Sequence, residues 1–144
     1  MKRIMFVCHG NICRSPMAEM LFKKMIADVR LQGQIEAFSS AVSSEEIYRG
    51  VGNPIYPPAR AELKREDYEK YDLFLCMDES NLRGMHRIFG GDPEGKCKKL
   101  LDLTPHGGEG ADPGYTGGFG EAFEDIEKGC RALFEVLRAD GKAE

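Results

Sequence analysis

No stretch of this 144-residue sequence is long and apolar enough to cross a membrane. Residues 1–7 are apolar, but the run is too short for a secretory signal and Cys8-His9 ends it. No membrane partner is therefore expected. Basic charge is not in excess: 20 Lys and Arg stand against 24 Asp and Glu, for a net charge of −4. That balance lacks the basic patch of a nucleic-acid binder. The five cysteines, at 8, 13, 76, 97 and 130, form no CxxC pair, and the histidines at 9, 86 and 106 add no zinc-like spacing. No metal and no cofactor is expected. An odd cysteine count without a secretory signal points to a reducing compartment, the cytoplasm. No Pro/Ser-rich linker interrupts the chain, so residues 1–144 read as one domain. What is present, 42% hydrophobic and 31% charged residues, is the composition of an ordinary soluble globular domain.

The informative stretch is Val7-Cys8-His9-Gly10-Asn11-Ile12-Cys13-Arg14-Ser15-Pro16. It follows the apolar run Ile4-Met5-Phe6-Val7, a short buried strand, and precedes a helix-period run from Met17. Strand, tight loop and helix start together present backbone N–H groups to an anion. Gly10 and Asn11 suit the left-handed conformations that turn those groups inward. Cys8 ends the strand, where a helix N-terminus and a cation favour the thiolate. Arg14 can grip a phosphate bidentately. Ser15 is either the N-cap, with Pro16 at the first helical position, or a hydroxyl partner for the Cys8 sulfur. Taken singly, such a cysteine is a packed core residue and Gly-Asn is a turn. Together, Cys8, five residues and Arg14-Ser15-Pro16 read as a phosphoryl-transfer site.

Periodicity orders the remainder. Residues 17–30 read as a helix burying Ala18, Leu21, Phe22, Met25, Ile26 and Val29, with Met17 and Met20 widening that face and Gln32-Gly33 ending it. Ile35–Phe38 is a second strand ending at Ser39-Ser40, which completes a βαβ unit in a parallel sheet. Residues 41–58 are loop-like and include Tyr48. Residues 60–71 are a short helix or turn with solvated charges. Asp72–Met77 is a third strand, Asp78 opens a helix to about Phe89, and Asp78 and Glu79 are structural. Gly90–Gly95 is a turn, and Lys98–Leu101 a fourth strand. Residues 104–120 are a long loop. A last helix runs from Gly118 or Phe119 to about Arg138, burying Phe119, Ala122, Phe123, Ile126, Cys130, Leu133, Phe134 and Leu137. The tail 140–144 is expected to fray.

At Cys8-x-Gly10-Asn11-Ile12-Cys13-Arg14-Ser15-Pro16 the chain resembles the low-molecular-weight protein tyrosine phosphatases, and Met77–Leu82 resembles them too. The resemblance covers nearly the whole chain. It implies an α/β, three-layer, phosphatase I-like fold: a four-stranded parallel sheet of order 2-1-3-4 flanked by helices. It implies that Cys8 is the nucleophile and that Arg14 clamps the phosphate. The loop His9, Gly10, Asn11, Ile12 and Cys13 binds the phosphate, and Ser15 and Ser40 support it. Cys13 is either a resolving thiol for a reversible disulfide with Cys8 or a residue packed behind the loop. Tyr48 is by analogy an aromatic wall for the substrate ring, or else an ordinary half-buried tyrosine.

Asp112, in Ala111-Asp112-Pro113-Gly114-Tyr115, matches the family's Asp-Pro acid loop and is the candidate general acid; alone it would read as a turn residue. Asp92-Pro93 repeats the dipeptide but reads as a turn. Three departures matter. Gly114 stands where the family has a first aromatic, leaving Tyr115 as the second wall. The stretch between Pro58 and Tyr68 is short, as if several helical turns were deleted, so a second copy of the chain is expected to cover residues 58–68. A histidine that holds the loop asparagine in the family has no clear counterpart. The leading expectation is a phosphatase for phosphotyrosine proteins or small aryl phosphates. Alternatives are a protein-arginine phosphatase, whose loop tends to carry Thr at the place of Ile12, an arsenate reductase, and a non-catalytic phosphate or phosphopeptide binder.

Overall fold

The computed structural model describes residues 2–8, 14–42, 62–104 and 119–143. Strand β1 (Lys2–Cys8) is followed by helix α1 (Arg14–Asp28), strand β2 (Ile35–Ala41), a 3-10 turn (Arg65–Glu69), strand β3 (Leu73–Cys76), helix α2 (Glu79–Phe89), strand β4 (Cys97–Lys99), a second 3-10 turn (Leu100–Leu103) and helix α3 (Phe119–Ala143). The sheet is parallel, in the order β2-β1-β3-β4. This is the three-layer α/β arrangement expected.

β1 is central and covered on both faces, so its apolar run is continuous rather than alternating. Ile4, Phe6 and Cys8 point to one face, where they join Phe22 and Ile26 of α1 and Ile126, Cys130 and Leu133 of α3. Met5 and Val7 point to the other, against Leu63, Tyr68, Phe74, Met85 and Phe89. The second core is aromatic: Phe74 and Phe89 have ring centroids 4.8 Å apart, and Tyr68 stacks at 6.0 Å on Phe74.

Several boundaries differ from expectation, each for a local reason. α1 ends at Asp28, before Gln32-Gly33, with Arg30 at φ 61° turning the chain. Val29 therefore falls beyond the helix and is exposed, and Met20 lies on the solvent side. The fourth strand is Cys97–Lys99, one residue early, and Leu100-Leu101 curls into the 3-10 turn. The reason is packing: a Cβ built on Gly129 of α3 would lie 2.4 Å from Leu100 Cγ, so Leu100 is seated against a bare helix backbone. α3 continues to Ala143, past the expected end and through most of the expected frayed tail, and Phe123 is exposed. Within the segment expected to carry solvated charges, Tyr68 and Leu63 are buried. That segment, with α2, covers the face of β1 and β3 within one chain: Met5, Val7, Phe74 and Cys76 are all at most 3% exposed. The described part of this face does not need the second copy that the short middle suggested. The expected loops over residues 43–58 and 105–118 lie outside the described residues.

Candidate active site

Parallel strands end together, and the site lies at their carboxyl edge. Cys8 closes β1 at 4% exposure. Its neighbour in the register is Ala41 of β2, and its carbonyl accepts the Val42 N–H at 3.0 Å. One residue earlier, Val7 is aligned with Ser40 on one side and Cys76 on the other. The thiol is thus fixed in the middle of the sheet edge.

The described part of helix α1 runs from Arg14, and residues 9–13, between it and the end of β1, lie outside the described residues. Ser15 lies inside the first turn and is fully buried. Its Oγ is 3.2 Å from Cys8 Sγ. Of the two roles open to it, the structure selects the sulfur partner, and Ser15 is not the N-cap. Pro16 consequently sits third in the helix, not first. That costs nothing, because the first four helical N–H groups have no intrahelical acceptor.

A second buried group supports this corner. Glu19, one turn after Ser15 and 6% exposed, accepts the Ser39 hydroxyl at 2.6 Å and pairs with Lys23. It ties α1 to β2 beneath the strand end. Sequence reading missed it, although the signal was there: a carboxylate in phase with Ser15, Phe22 and Ile26. Ser40 is buried at the end of β2, beside Val7.

The next strand end is also tied down. Asp78 caps α2, its carboxylate accepting the Asn81 N–H at 2.8 Å, and buried Asn81 accepts the Met77 N–H at 3.3 Å. Glu79 pairs with Lys99 at 3.5 Å. Both acids are structural, as expected. The other described thiols are unsuited to nucleophilic work. Burial pushes Cys76, Cys97 and Cys130 each up to about 12, with neighbouring carboxylates adding to it. None of the described cysteines is in a disulfide.

The structure brings Cys8 and Ser15 together and places Ser40 in register with Val7, whose side chain lies on the other face of the sheet; the described part of α1 starts at Arg14. His9, Gly10, Asn11, Ile12, Cys13, Tyr48, Asp112 and Tyr115 lie outside the described residues.

The profile of the low molecular weight phosphotyrosine protein phosphatases matches residues 3–143. The chain belongs to this family. The low molecular weight protein-tyrosine-phosphatase YfkJ of Bacillus subtilis is 31% identical over 95% of this chain and 96% of its own. The YfkJ crystal structure superposes with a TM-score of 0.84 at 30% identity, covering 97% of this chain and 96% of that one. The human low molecular weight phosphotyrosine protein phosphatase is 34% identical, over 93% of this chain and 94% of its own. A third relative is the YwlE arginine phosphatase, solved as a cysteine-to-serine mutant with a phosphorylated active-site serine. It has a TM-score of 0.75 at 26% identity and covers 99% of both chains. The fold's strand order and helical layers are those of this family, as the loop motif implied. No helix among the described residues is long and apolar enough to cross a membrane.

Proposed function

We propose that this chain is a metal-independent cysteine phosphatase that hydrolyses phosphotyrosine in proteins, or small aryl phosphate monoesters, through a phosphocysteine intermediate. The observation that carries this reading is the Cys8 thiol at the carboxyl end of the central strand. It lies 3.2 Å from a buried hydroxyl in the first turn of α1. In this scheme the Cys8 thiolate attacks phosphorus, forming the S–P bond as the P–O bond to the aryl group breaks. Asp112 donates its proton to the departing oxygen. Water then attacks phosphorus, Asp112 takes a proton from it, and the thiolate leaves. Arg14 and the N–H groups of residues 9–13 hold the phosphate oxygens through both steps, which supplies the electrostatic stabilisation. Tyr48 and Tyr115 are the walls assigned to the substrate ring. The working unit is one chain, in a reducing compartment where Cys8 and Cys13 stay thiols unless oxidised.

A second reading has one observation behind it. The relative named an arginine phosphatase shares the fold over its full length, and its serine variant carries a phosphate on the active-site residue. Phosphoarginine peptides therefore belong in the same assay as phosphotyrosine peptides. Ile12 is the residue that ranks the arginine substrate second.

The test is p-nitrophenol release from p-nitrophenyl phosphate, with EDTA and reductant present, by the native chain and by Cys8→Ser. Turnover should persist in EDTA and vanish in the variant. A folded native chain with no turnover, but with measurable phosphate binding, would replace the enzyme by a phosphate-binding module.

A further inference from the structure

Away from the Cys8 corner, three side chains with different donor atoms converge at the β4 edge of the sheet. His86 is in the last turn of α2, Asp92 is in the turn that follows, and Cys97 opens β4. One ligand atom from each lies within 4.8 Å of the others. We infer that His86, Asp92 and Cys97 form a binding site for a zinc-class divalent cation, with a water completing the coordination.

The donor set argues for that class of metal. Calcium and magnesium take oxygen ligands, whereas an imidazole nitrogen with a thiolate sulfur suits zinc. Three protein ligands and one water make a tetrahedral zinc site. Bonds of about 2.0–2.3 Å would place the donors roughly 3.3–3.8 Å apart. Closing from the present spacing therefore needs a shift of about 1 Å at one ligand. His86 is exposed and can supply it by turning its imidazole. Cys97 is buried and Asp92 is held in place, so these two form the fixed side of the site.

The support around Asp92 is already built. Its Oδ1 accepts the Tyr68 hydroxyl at 2.6 Å and the Lys96 N–H at 2.8 Å, and its Oδ2 accepts the Cys97 N–H at 3.1 Å. An ionised carboxylate has about four acceptor positions, so a lone pair on Oδ2 remains for a metal. Partners of this kind fix a ligand's orientation and strengthen its metal affinity. The backbone holds the three positions near one another. Gly90 and Gly91, at φ 74° and 127°, fold the chain back so that both N–H groups meet the His86 carbonyl, and Gly95 at φ 66° returns it to β4. Only glycine takes such angles without strain.

Binding would form a zinc–sulfur bond while the Cys97 thiol loses its proton to solvent. The metal would then staple the end of α2 to β4, above the cluster of Tyr68, Phe74 and Phe89. No component of the phosphatase site takes part.

The experiment uses the full chain carrying Cys8→Ser and Cys13→Ser, so that neither thiol of the phosphate loop can provide a competing site. Metal-free reduced protein is titrated with cobalt(II) alone and with zinc(II) alone. The expected results are one equivalent bound, a thiolate-to-cobalt charge-transfer band, and a higher thermal midpoint with zinc. Adding His86→Ala or Cys97→Ser should weaken binding by about tenfold or more. His86 is exposed, so its variant tests the site even where Cys97→Ser is poorly folded. Absence of the charge-transfer band, or zinc affinity unchanged by His86→Ala, overturns the inference.

Discussion

The Cys8 sulfur and the Ser15 hydroxyl are 3.2 Å apart in a buried corner, and the value of that contact depends on charge. A hydroxyl beside a neutral thiol gains little. Beside a thiolate it donates a charge-assisted hydrogen bond, of about 1.5–3 kcal/mol. In the proposed reaction the thiolate is the leaving group when phosphocysteine breaks down, so Ser15 should act mainly on that second step. Ser15→Ala is expected to lower kcat by about ten- to a hundredfold. It should also make p-nitrophenol appear as a burst, because phosphocysteine forms faster than it decays. Stopped-flow absorbance decides this: an unchanged kcat, or equal slowing of the burst and steady phases, would reject the assignment. Much of this corner was legible in the residue order, since Cys8 closes an apolar run and Ser15 follows a fixed number of residues later. Which of its two partners Ser15 takes was not, because that depends on where the helix begins. Glu19 is in phase with the buried face of α1, but a carboxylate in a helix is usually solvated, and its partner is visible only once Ser39 of another strand stands opposite.

Elements bounded by capping chemistry were read most accurately. α2 starts after Asp78, which caps it, and stops before Gly90, at φ 74°. Elements bounded by packing were read less well. β4 starts one residue and ends two residues before the expected Lys98–Leu101, because Leu100 looks like a strand residue but is seated against Gly129. The Asp92 turn lies between these cases: the dipeptide marks a turn, while its carboxylate turns out to organise Tyr68, Lys96 and Cys97. Burial works to raise the Asp92 pKa, but hydrogen bonds from Tyr68, Cys97 and Lys96, with the nearby His86, outweigh it and hold the group below its ordinary 3.8. A depressed carboxylate stabilises the fold above its unfolded pKa, and that contribution is lost as pH falls through the folded value. Asp92→Asn in EDTA should therefore cost about 1–3 kcal/mol at pH 7. The gap to the native chain should narrow as pH falls below about 4. Urea unfolding at pH 7, 5 and 3 measures it, and a gap independent of pH would show that the carboxylate's charge contributes nothing.

At the scale of the molecule, the question is what covers the sheet face beside the stretch expected to be short. The alignment with YfkJ spans 154 positions against this chain's 144 residues, so the relative carries residues that this chain lacks. Losing helical turns between Pro58 and Tyr68 suggested an open sheet face and a second copy to close it. The described residues close it otherwise. Tyr68 lies in the 3-10 turn with its ring parallel to Phe74 at 6.0 Å, and Phe89 meets Tyr68 at 5.1 Å. Tyr71 packs on Phe38 at 5.2 Å and on Phe74 at 5.8 Å. Large aromatic rings thus bury much of the described part of this face. The packing of these two tyrosines was not legible in the sequence, where the segment gives a short helix or turn with solvated charges and no apolar period to mark a buried face. With Met5, Val7, Phe74 and Cys76 already buried, a partner over residues 58–68 would gain no area from them. Size-exclusion chromatography with light scattering should accordingly return the mass of one chain at micromolar concentration. A dimer would refute this reading and direct the search to the opposite layer, where Met20 on α1, Val29 just past its end, and Phe123 and Val136 on α3 are exposed. If the dimer instead dissociated on Tyr68→Ala or Tyr71→Ala, the aromatic cluster would be part of an interface rather than a replacement for one.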